Sequence, residues 1–393
     1  ILMSLGEIFT APVENIVSGG AGLVHHNGQP IFIAGTAPGD MVSARICQDK
    51  KTWARADLLK VEEASSSRIE PLCPLYSQCG GCNLQHIDYN TQLNVKVDIL
   101  TQAFSRIGKI SVLPNITINH SEPFEYRNRM QFHRVEKMKK GAPSVGLKMR
   151  ESNSIIPISD CPIADPGIRR ELQSLSLRAP ISKDRFTVYS RNGIFLSEGG
   201  AEEKAVLEMK NKNIAMDVNV FFQSNSNVLE KLIDDLVDII KDVPEKRIFG
   251  DFYCGVGTFS VFLQEYFEEI DLLEENKQAI SLAQRNLSGK KAEYYALTDD
   301  AWVSLMNKKS RKYDAVVIDP PRVGLSSAMR KWLCKNGPSL LAYVSCDPAS
   351  LARDSQELIQ SGYVLKDVRL YDFYPQTAHI ESLSVFVRGD SPP

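Results

Sequence analysis

Residues 247–258, RIFGDFYCGVGT, decide the fold. An apolar run of strand length breaks at Cys254-Gly255-Val256-Gly257, and a helical apolar pattern resumes at Phe259. Glycines let the chain turn tightly and let a ligand approach bare backbone. The third glycine of the dinucleotide fingerprint is missing, so the turn alone does not name its ligand. Working outward, strand-like EIDLLE, AEYYAL, YDAVVIDPP and LLAYVSC alternate with helical patterns at 259–266, 277–286, near 301–306, near 327–334 and at 349–361. A further helix is expected over 226–240, with Leu229, Leu232, Ile233, Leu236 and Val237 on one face. The strands VLKDVRLYDF and SLSVFVRG close the chain. This alternation predicts a mostly parallel sheet covered by helices on both faces, a Rossmann-like α/β domain over residues 218–393.

At 393 residues the chain is too long for one ordinary domain. Residues 1–62 hold short β-branched runs cut by turns at Asn27-Gly28 and Ala37-Pro38-Gly39-Asp40, and predict a small OB-like β-barrel. Residues 63–217 read as a central domain. A cysteine segment comes first, then a helix over 88–107 that can pack on the catalytic domain. The strands NITINHSE, RNRMQFHRV, SVGLKM, RFTVYS and GIFLSE follow, mostly antiparallel. The composition, 43% hydrophobic and 24% charged, is that of a globular protein. No signal-like N-terminus and no run of about 20 apolar residues is present, so a cytoplasmic protein without a membrane partner is expected. Net charge is −2, which argues mildly against nucleic acid, but Arg127, Arg129, Arg134, Lys137, Lys139, Lys140, Lys148 and Arg150 form a local basic run opposed only by Glu136.

Eight cysteines are too few for a disulfide scaffold. Cys73, Cys79 and Cys82, spaced C-x5-C-x2-C with Gly80-Gly81 between the last two, are bunched. Soft thiolates suit zinc or an iron–sulfur cluster. Cys161, followed by Pro162, is the best remote candidate for a fourth ligand, and resembles the proline-adjacent ligand of a ferredoxin-type run. The two close C-x2-C pairs usual for zinc are absent.

Glu274 ends the second strand, where a carboxylate can take both hydroxyls of a ribose. A nicotinamide enzyme would share that feature. Asp319-Pro320-Pro321-Arg322 instead makes a rigid exit suited to a flat base beside an adenosyl cofactor, and favours S-adenosylmethionine. Cys346 ends an apolar strand, while His379 and Glu381, as alternating residues, share a face. A thiolate and a carboxylate suit addition to a pyrimidine: the thiolate adds at carbon 6, carbon 5 takes a methyl group, and a base removes its proton. Thiol proteolysis is the rival use of Cys with His, but its nucleophile normally sits at a helix start without a methyl-donor pocket.

In combination these motifs resemble the iron–sulfur-containing RNA uracil-5-methyltransferases, in particular the type acting on 23S ribosomal RNA. The resemblance runs through nearly the whole chain: CPLYSQCGGCNLQH with Cys161-Pro162, the run FFQSN at 221–225, then DFYCGVGTF, DPPR, SCDP and HIE in family order. It implies a TRAM-type RNA-binding domain at the N-terminus and a [4Fe–4S] cluster on Cys73, Cys79, Cys82 and Cys161. It implies that Gln223, Tyr253, Thr258, Glu274 and Asp319 line the S-adenosylmethionine pocket, with an aspartate at 299 or 300, assigned as Asp299, near the adenine. Cys346 would be the nucleophile and Glu381 the base, with Arg127 and Phe221 facing RNA. Two departures stand out: Asp347 follows the nucleophile where Asn is commoner, and Thr258 replaces a frequent Asn. Ribosomal RNA is the expected partner, transfer RNA the alternative substrate, and a monomer is expected. An RNA-binding protein that kept the fold without turnover is the alternative of another class.

Overall fold

The computed structural model describes residues 4–136, 142–287, 289, 291–309 and 311–388. Six strands open it: β1 (Ile8–Pro12), β2 (Asn15–Ile16), β3 (Gly22–His26), β4 (Gln29–Ile33), β5 (Met41–Lys50) and β6 (Trp53–Glu63). They form one sheet, in the order β1-β5-β6-β4-β3-β2, around a core that includes Phe9, Val24, Ile31, Val42 and Ile46. Asn27 and Gly28 both take left-handed φ, 50° and 78°, in the two-residue β3–β4 hairpin that Asn-Gly predicts. Buried Asp40 accepts Ala37 N and Ser65 N and pairs with Arg68, tying this sheet to the next segment.

Helix α1 (Tyr89–Arg106) starts at an Asp88 cap that accepts Thr91 N. Its Leu100 and Phe104 pack in one cluster with residues of the C-terminal domain such as Leu351 and Ala352. Strand β7 (Thr117–Asn119) departs from expectation: NITINHSE does not join the central antiparallel sheet. Ile116 and Ile118 instead find apolar neighbours around Val95, Ile99 and Leu370, which places β7 at the edge of the C-terminal sheet.

The central sheet is antiparallel, as expected. It comprises β8 (Arg129–Arg134), β9 (Val145–Lys148), β10 (Ile155–Pro157), β11 (Arg185–Arg191) and β12 (Ile194–Ser197), in the order β10-β9-β8-β11-β12. Helix α2 (Pro166–Gln173) lies between β10 and β11, and β13 (Lys204–Met209) with β14 (Lys212–Asp217) makes a separate hairpin.

The rest is α3 (Ser226–Lys241), β15 (Ile248–Phe252), α4 (Thr258–Leu263), β16 (Glu269–Leu273), α5 (Lys277–Asn286), β17 (Ala292–Tyr295) and α6 (Asp299–Met306). Then follow β18 (Ala315–Ile318), α7 (Ser327–Asn336), β19 (Leu340–Ser345), α8 (Pro348–Gln360), β20 (Tyr363–Tyr371) and β21 (Glu381–Arg388). The sheet order is β17-β16-β15-β18-β19-β21-β20-β7, parallel except for β21, which runs antiparallel to both neighbours. Apolar clusters cover both faces, one around Leu232, Phe249 and Val317, the other around Phe252, Trp302 and Val316. This is the doubly covered Rossmann-like domain that the alternation predicts. Strand β15 touches β16 on one side and β18 on the other, so the winding reverses there and opens a crevice beyond the carboxyl ends of both strands. Among the described residues no helix is long and apolar enough to cross a membrane.

Candidate active site

A cavity of about 870 Å³ occupies that crevice. At one end stand Tyr253, Gly255 and Glu274, with Asp299 and Asp319 beside them. Tyr253 is held at φ 63°, a conformation a bulky residue adopts only under constraint, and its hydroxyl donates to Asp299 Oδ2 at 2.8 Å. Ser326 N donates to the same oxygen, so Asp299 ties two walls of the cavity together. Gly255, at φ 55°, has nothing within 4 Å of where a Cβ would stand, which leaves bare backbone facing the space. Glu274 accepts Gly255 N at 3.1 Å and Asn276 N at 2.8 Å, which fixes its carboxylate at the end of β16. Thr258 does not line the cavity. The left-handed turn at Gly257, φ 77°, starts α4 one residue earlier, and the lining on this strand ends at Gly255.

At the other end stand Cys346 and Glu381. Antiparallel pairing of β19 with β21 ends at Ser345 opposite Ser382, so Cys346 and Glu381 lie at adjacent strand ends although 35 residues separate them in sequence. Cys346 directly precedes Asp347, the cap of α8, which accepts Ser350 N at 2.8 Å. A helix start therefore does not distinguish this thiol from that of a protease. Its companion carboxyl does: Glu381 is only 4% exposed, and its Oε1 is buried without a hydrogen-bond partner. An orphaned buried oxygen is costly unless a ligand or a proton supplies the partner. Burial, and secondly the Asp319 carboxyl, push the Glu381 pKa well above the ordinary carboxylate range, while Arg322 opposes them. Asp319 is pushed up to about 7 by burial, then by Asp251 and Glu274. Burial drives Cys346 up to about 12, with Glu381 and Asp319 adding to it and Arg322 opposing. Arg322 is thus the cation that favours both charged forms.

His379 lies in the loop before β21 rather than in the strand, yet it lines the same cavity. Burial, then Arg322 and Arg127, push it down to about 4, and its Nδ1 accepts from Arg322 at 3.2 Å; it is neutral at neutral pH. The rim is aromatic and cationic. Phe221 is 57% exposed with the Arg129 guanidinium 5.6 Å from its ring centre, and Arg127 stands 5.7 Å from that of Tyr374. Gln223 lines the same cavity. Sequence reading missed Tyr374 and gave Arg322 no role. The only signal for Tyr374 was the aromatic density of YDFYP just ahead of HIE.

The basic run is smaller than its sequence suggests. Arg134 donates to the carbonyls of Pro180, Ile181 and Lys183, and Arg150 to those of Tyr76 and Cys82. Lys137, Lys139 and Lys140 lie outside the described residues. Among the described residues of the run, Arg127 lines this cavity, Lys148 lines a second one while donating to Asn153, and Arg129 stands over the exposed Phe221 ring.

A second cavity, of about 460 Å³, is lined by all four bunched or proline-flanked cysteines, Cys73, Cys79, Cys82 and Cys161. A turn in which Cys79 N donates to Leu75 O brings two of them round, and Gly80 N then docks on Lys148 O. A Cβ on Gly80 would stand 3.2 Å from that carbonyl, so the close approach favours glycine. Burial raises Cys82 to about 11 and Cys161 to about 12, so thiolates here need a cationic group to form. Among the described residues no three His, Cys, Asp or Glu side chains converge on one point as a single metal ion requires. The four cysteines share the lining of this one cavity. Arg127 lines both cavities.

The family pattern described as tRNA (Uracil-5-)-methyltransferase matches residues 301–388, and that of the methyltransferase small domain matches residues 217–333. An uncharacterized RNA methyltransferase of Treponema denticola is 33% identical over 390 residues, covering 92% of this chain and 94% of its own. The 23S rRNA (uracil(1939)-C(5))-methyltransferase RlmD of Shewanella sediminis is 28% identical over 412 residues, covering 93% of each. The crystal structure of Pyrococcus abyssi tRNA (uracil-54, C5)-methyltransferase with S-adenosyl-L-homocysteine shares the fold. Its TM-score is 0.74 at 22% identity, over 96% of this chain and all of that one.

Proposed function

The chain belongs to the RNA uracil-5-methyltransferase family, an S-adenosylmethionine-dependent family, and on that premise we propose that it methylates carbon 5 of a uridine in 23S ribosomal RNA through a covalent Cys346 adduct. One observation carries this reading: a nucleophile and an unpartnered buried carboxyl lie at adjacent strand ends of one cavity that continues to the Gly255–Glu274 pocket.

In this mechanism Tyr253, Glu274, Asp299, Asp319 and Gln223 hold the methyl donor, Glu274 through the ribose hydroxyls. The target uridine leaves its stack and enters beside Cys346, with Phe221 and Tyr374 as aromatic surfaces and Arg127 and Arg129 as partners for phosphate or carbonyl oxygen. Cys346 gives its thiol proton to solvent, its thiolate Sγ bonds to carbon 6, and the electron pair of the carbon 5–carbon 6 double bond appears at carbon 5. That carbon bonds the methyl group as the sulfonium–methyl bond breaks, leaving S-adenosylhomocysteine. Glu381 takes the carbon 5 proton, the Sγ–carbon 6 bond breaks, and the ring double bond returns. Glu381 accepts that proton as the carboxylate, the form that Arg322 favours against burial, and its raised pKa makes that carboxylate a stronger base once formed. Support for ribosomal RNA comes from full-length similarity to relatives named for 23S rRNA. Mass-spectrometric mapping of 5-methyluridine, with and without the protein, tests the reading. A 5-methyluridine gained in 23S rRNA is expected; one gained only in transfer RNA overturns the ribosomal assignment.

Cys73, Cys79, Cys82 and Cys161 would hold the [4Fe–4S] cluster, which would supply rigidity and RNA positioning, since no step above moves an electron. The N-terminal sheet would serve as the TRAM-type RNA contact. Protein purified without oxygen is expected to be brown and to carry about four iron atoms per chain. Stoichiometric zinc without iron would show that the thiols hold something else.

A further inference from the structure

Residues 372–380 join β20 to β21 and bring Tyr374 and His379 into the reaction cavity before Glu381 begins β21. Much of what holds this loop lies far away in sequence. Gln92 of α1 brackets Gln376, its Oε1 accepting Gln376 N and its Nε2 donating to Gln376 Oε1, each at 3.0 Å. Lys96 of α1 pairs with Asp372 at 2.6 Å with both side chains fully buried. Gln376 sits at φ 69°, a conformation that persists in a non-glycine residue only where surroundings impose it.

Tyr126 OH also donates to Pro375 O at 2.9 Å, and a further clamp is Asn83, the residue after Cys82. The backbone N–H groups of Asn83 and Leu84 both donate to Gln376 O, at 3.1 and 3.0 Å. The Asn83 side chain accepts Ala378 N at 2.9 Å through Oδ1 and donates to Gly19 O at 2.8 Å through Nδ2. One donor and one acceptor partner fix which end of the amide is oxygen. Gly20 packs closely on the half-buried amide: a Cβ there would stand 2.5 Å from Asn83 Nδ2. One side chain thus joins three parts of the chain, namely the thiol-bearing segment, the N-terminal sheet and the loop leading to Glu381.

We propose that Asn83 is a positioning residue for the methyl transfer. Its oxygen sets the Ala378 backbone, three residues ahead of Glu381, so that the carboxyl meets the carbon 5 proton. Its nitrogen docks the N-terminal sheet against the same loop, so the surface that receives RNA is held in register with the proton acceptor. The inference rests on the reading of Glu381 as that acceptor.

The two ends of the amide can be tested apart. Asn83→Ala removes both contacts; Asn83→Asp keeps the oxygen that Ala378 N needs and turns a second oxygen toward Gly19 O. With in-vitro transcribed 23S rRNA, Asn83→Ala is expected to lower kcat about 10- to 100-fold, as a small misplacement of a reacting group does. Asn83→Asp is expected to keep most of kcat while KM for the RNA rises. Hydrogen exchange of the Ala378 amide should quicken in Asn83→Ala and stay slow in Asn83→Asp. Affinity for S-adenosylhomocysteine should stay within about twofold of wild type in both, which distinguishes misplacement from misfolding. An Asn83→Ala variant with wild-type kcat, or with unchanged Ala378 exchange, overturns the proposal, as does equal loss of kcat in both variants. If the wild-type protein itself forms no 5-methyluridine in that RNA, the proposed substrate is wrong, and the exchange arm still tests the clamp.

Discussion

Cys346→Ala is expected to abolish 5-methyluridine formation and to leave no covalent complex with RNA that carries 5-fluorouracil. The size of the effect follows from the chemistry. Carbon 5 of uracil is a poor nucleophile until something adds at carbon 6, so loss of the thiol removes the reaction path rather than one stabilising contact. Fluorine at carbon 5 cannot leave as a proton, so the wild-type protein should remain joined to such RNA through Sγ. The thiol of the free protein is protonated at neutral pH, because burial, Glu381 and Asp319 push it up to about 12. The thiolate must form as RNA binds, with Arg322 as the neighbouring cation that favours it. Folding should survive the change, since the shorter side chain leaves intact the Asp347 cap and the β19–β21 pairing that fix this corner. Binding of S-adenosylhomocysteine by the variant at wild-type affinity, checked by calorimetry, separates lost chemistry from lost structure. Full methyl transfer by Cys346→Ala would sink the covalent mechanism.

The fold was legible where periodicity had one reading. Strand LLAYVS with its following helix, and the glycine turn after β15, read directly because apolar runs of strand length alternate with apolar stripes at helical spacing. Strand β7 did not: three residues carry little pattern, and the parallel partner β20 lies some 250 positions on, so only tertiary packing of Ile116 and Ile118 decides its sheet. The cysteines and Glu381 were legible by residue type and motif, whereas Tyr374 and Asn83 belong to ordinary-looking loops whose meaning comes from partners distant in sequence. The basic run misled in a specific way. Sequence counts charges, but Arg134 and Arg150 spend their donors on internal carbonyls, which only the folded chain reveals. Thr258 was carried into the pocket by its motif, and the helix start at Gly257 keeps it out of the lining.

Glu381→Gln tests the step that adduct formation leaves unfinished. Gln is close in shape to the protonated carboxyl that burial favours at this position, so the substitution removes proton acceptance while keeping the side chain. Addition of Cys346 and methyl transfer need no base at carbon 5, so both should proceed. Loss of the carbon 5 proton then stalls, and the Sγ–carbon 6 bond persists. Removing a positioned base costs about 100- to 10,000-fold. The variant should therefore accumulate a methylated protein–RNA adduct on ordinary uridine RNA, seen as a slow band on denaturing gels, where the wild type shows little. Raising the pH should not restore turnover, because Gln has no ionisable form; in the wild type, turnover should fall as acidification keeps Glu381 protonated. The double variant Cys346→Ala, Glu381→Gln should form no adduct, which assigns the covalent bond to Sγ. Rapid turnover by Glu381→Gln without accumulation would take the base role away from this carboxyl and leave Asp319, the carboxyl beside it with a pKa of about 7, as the group to vary next.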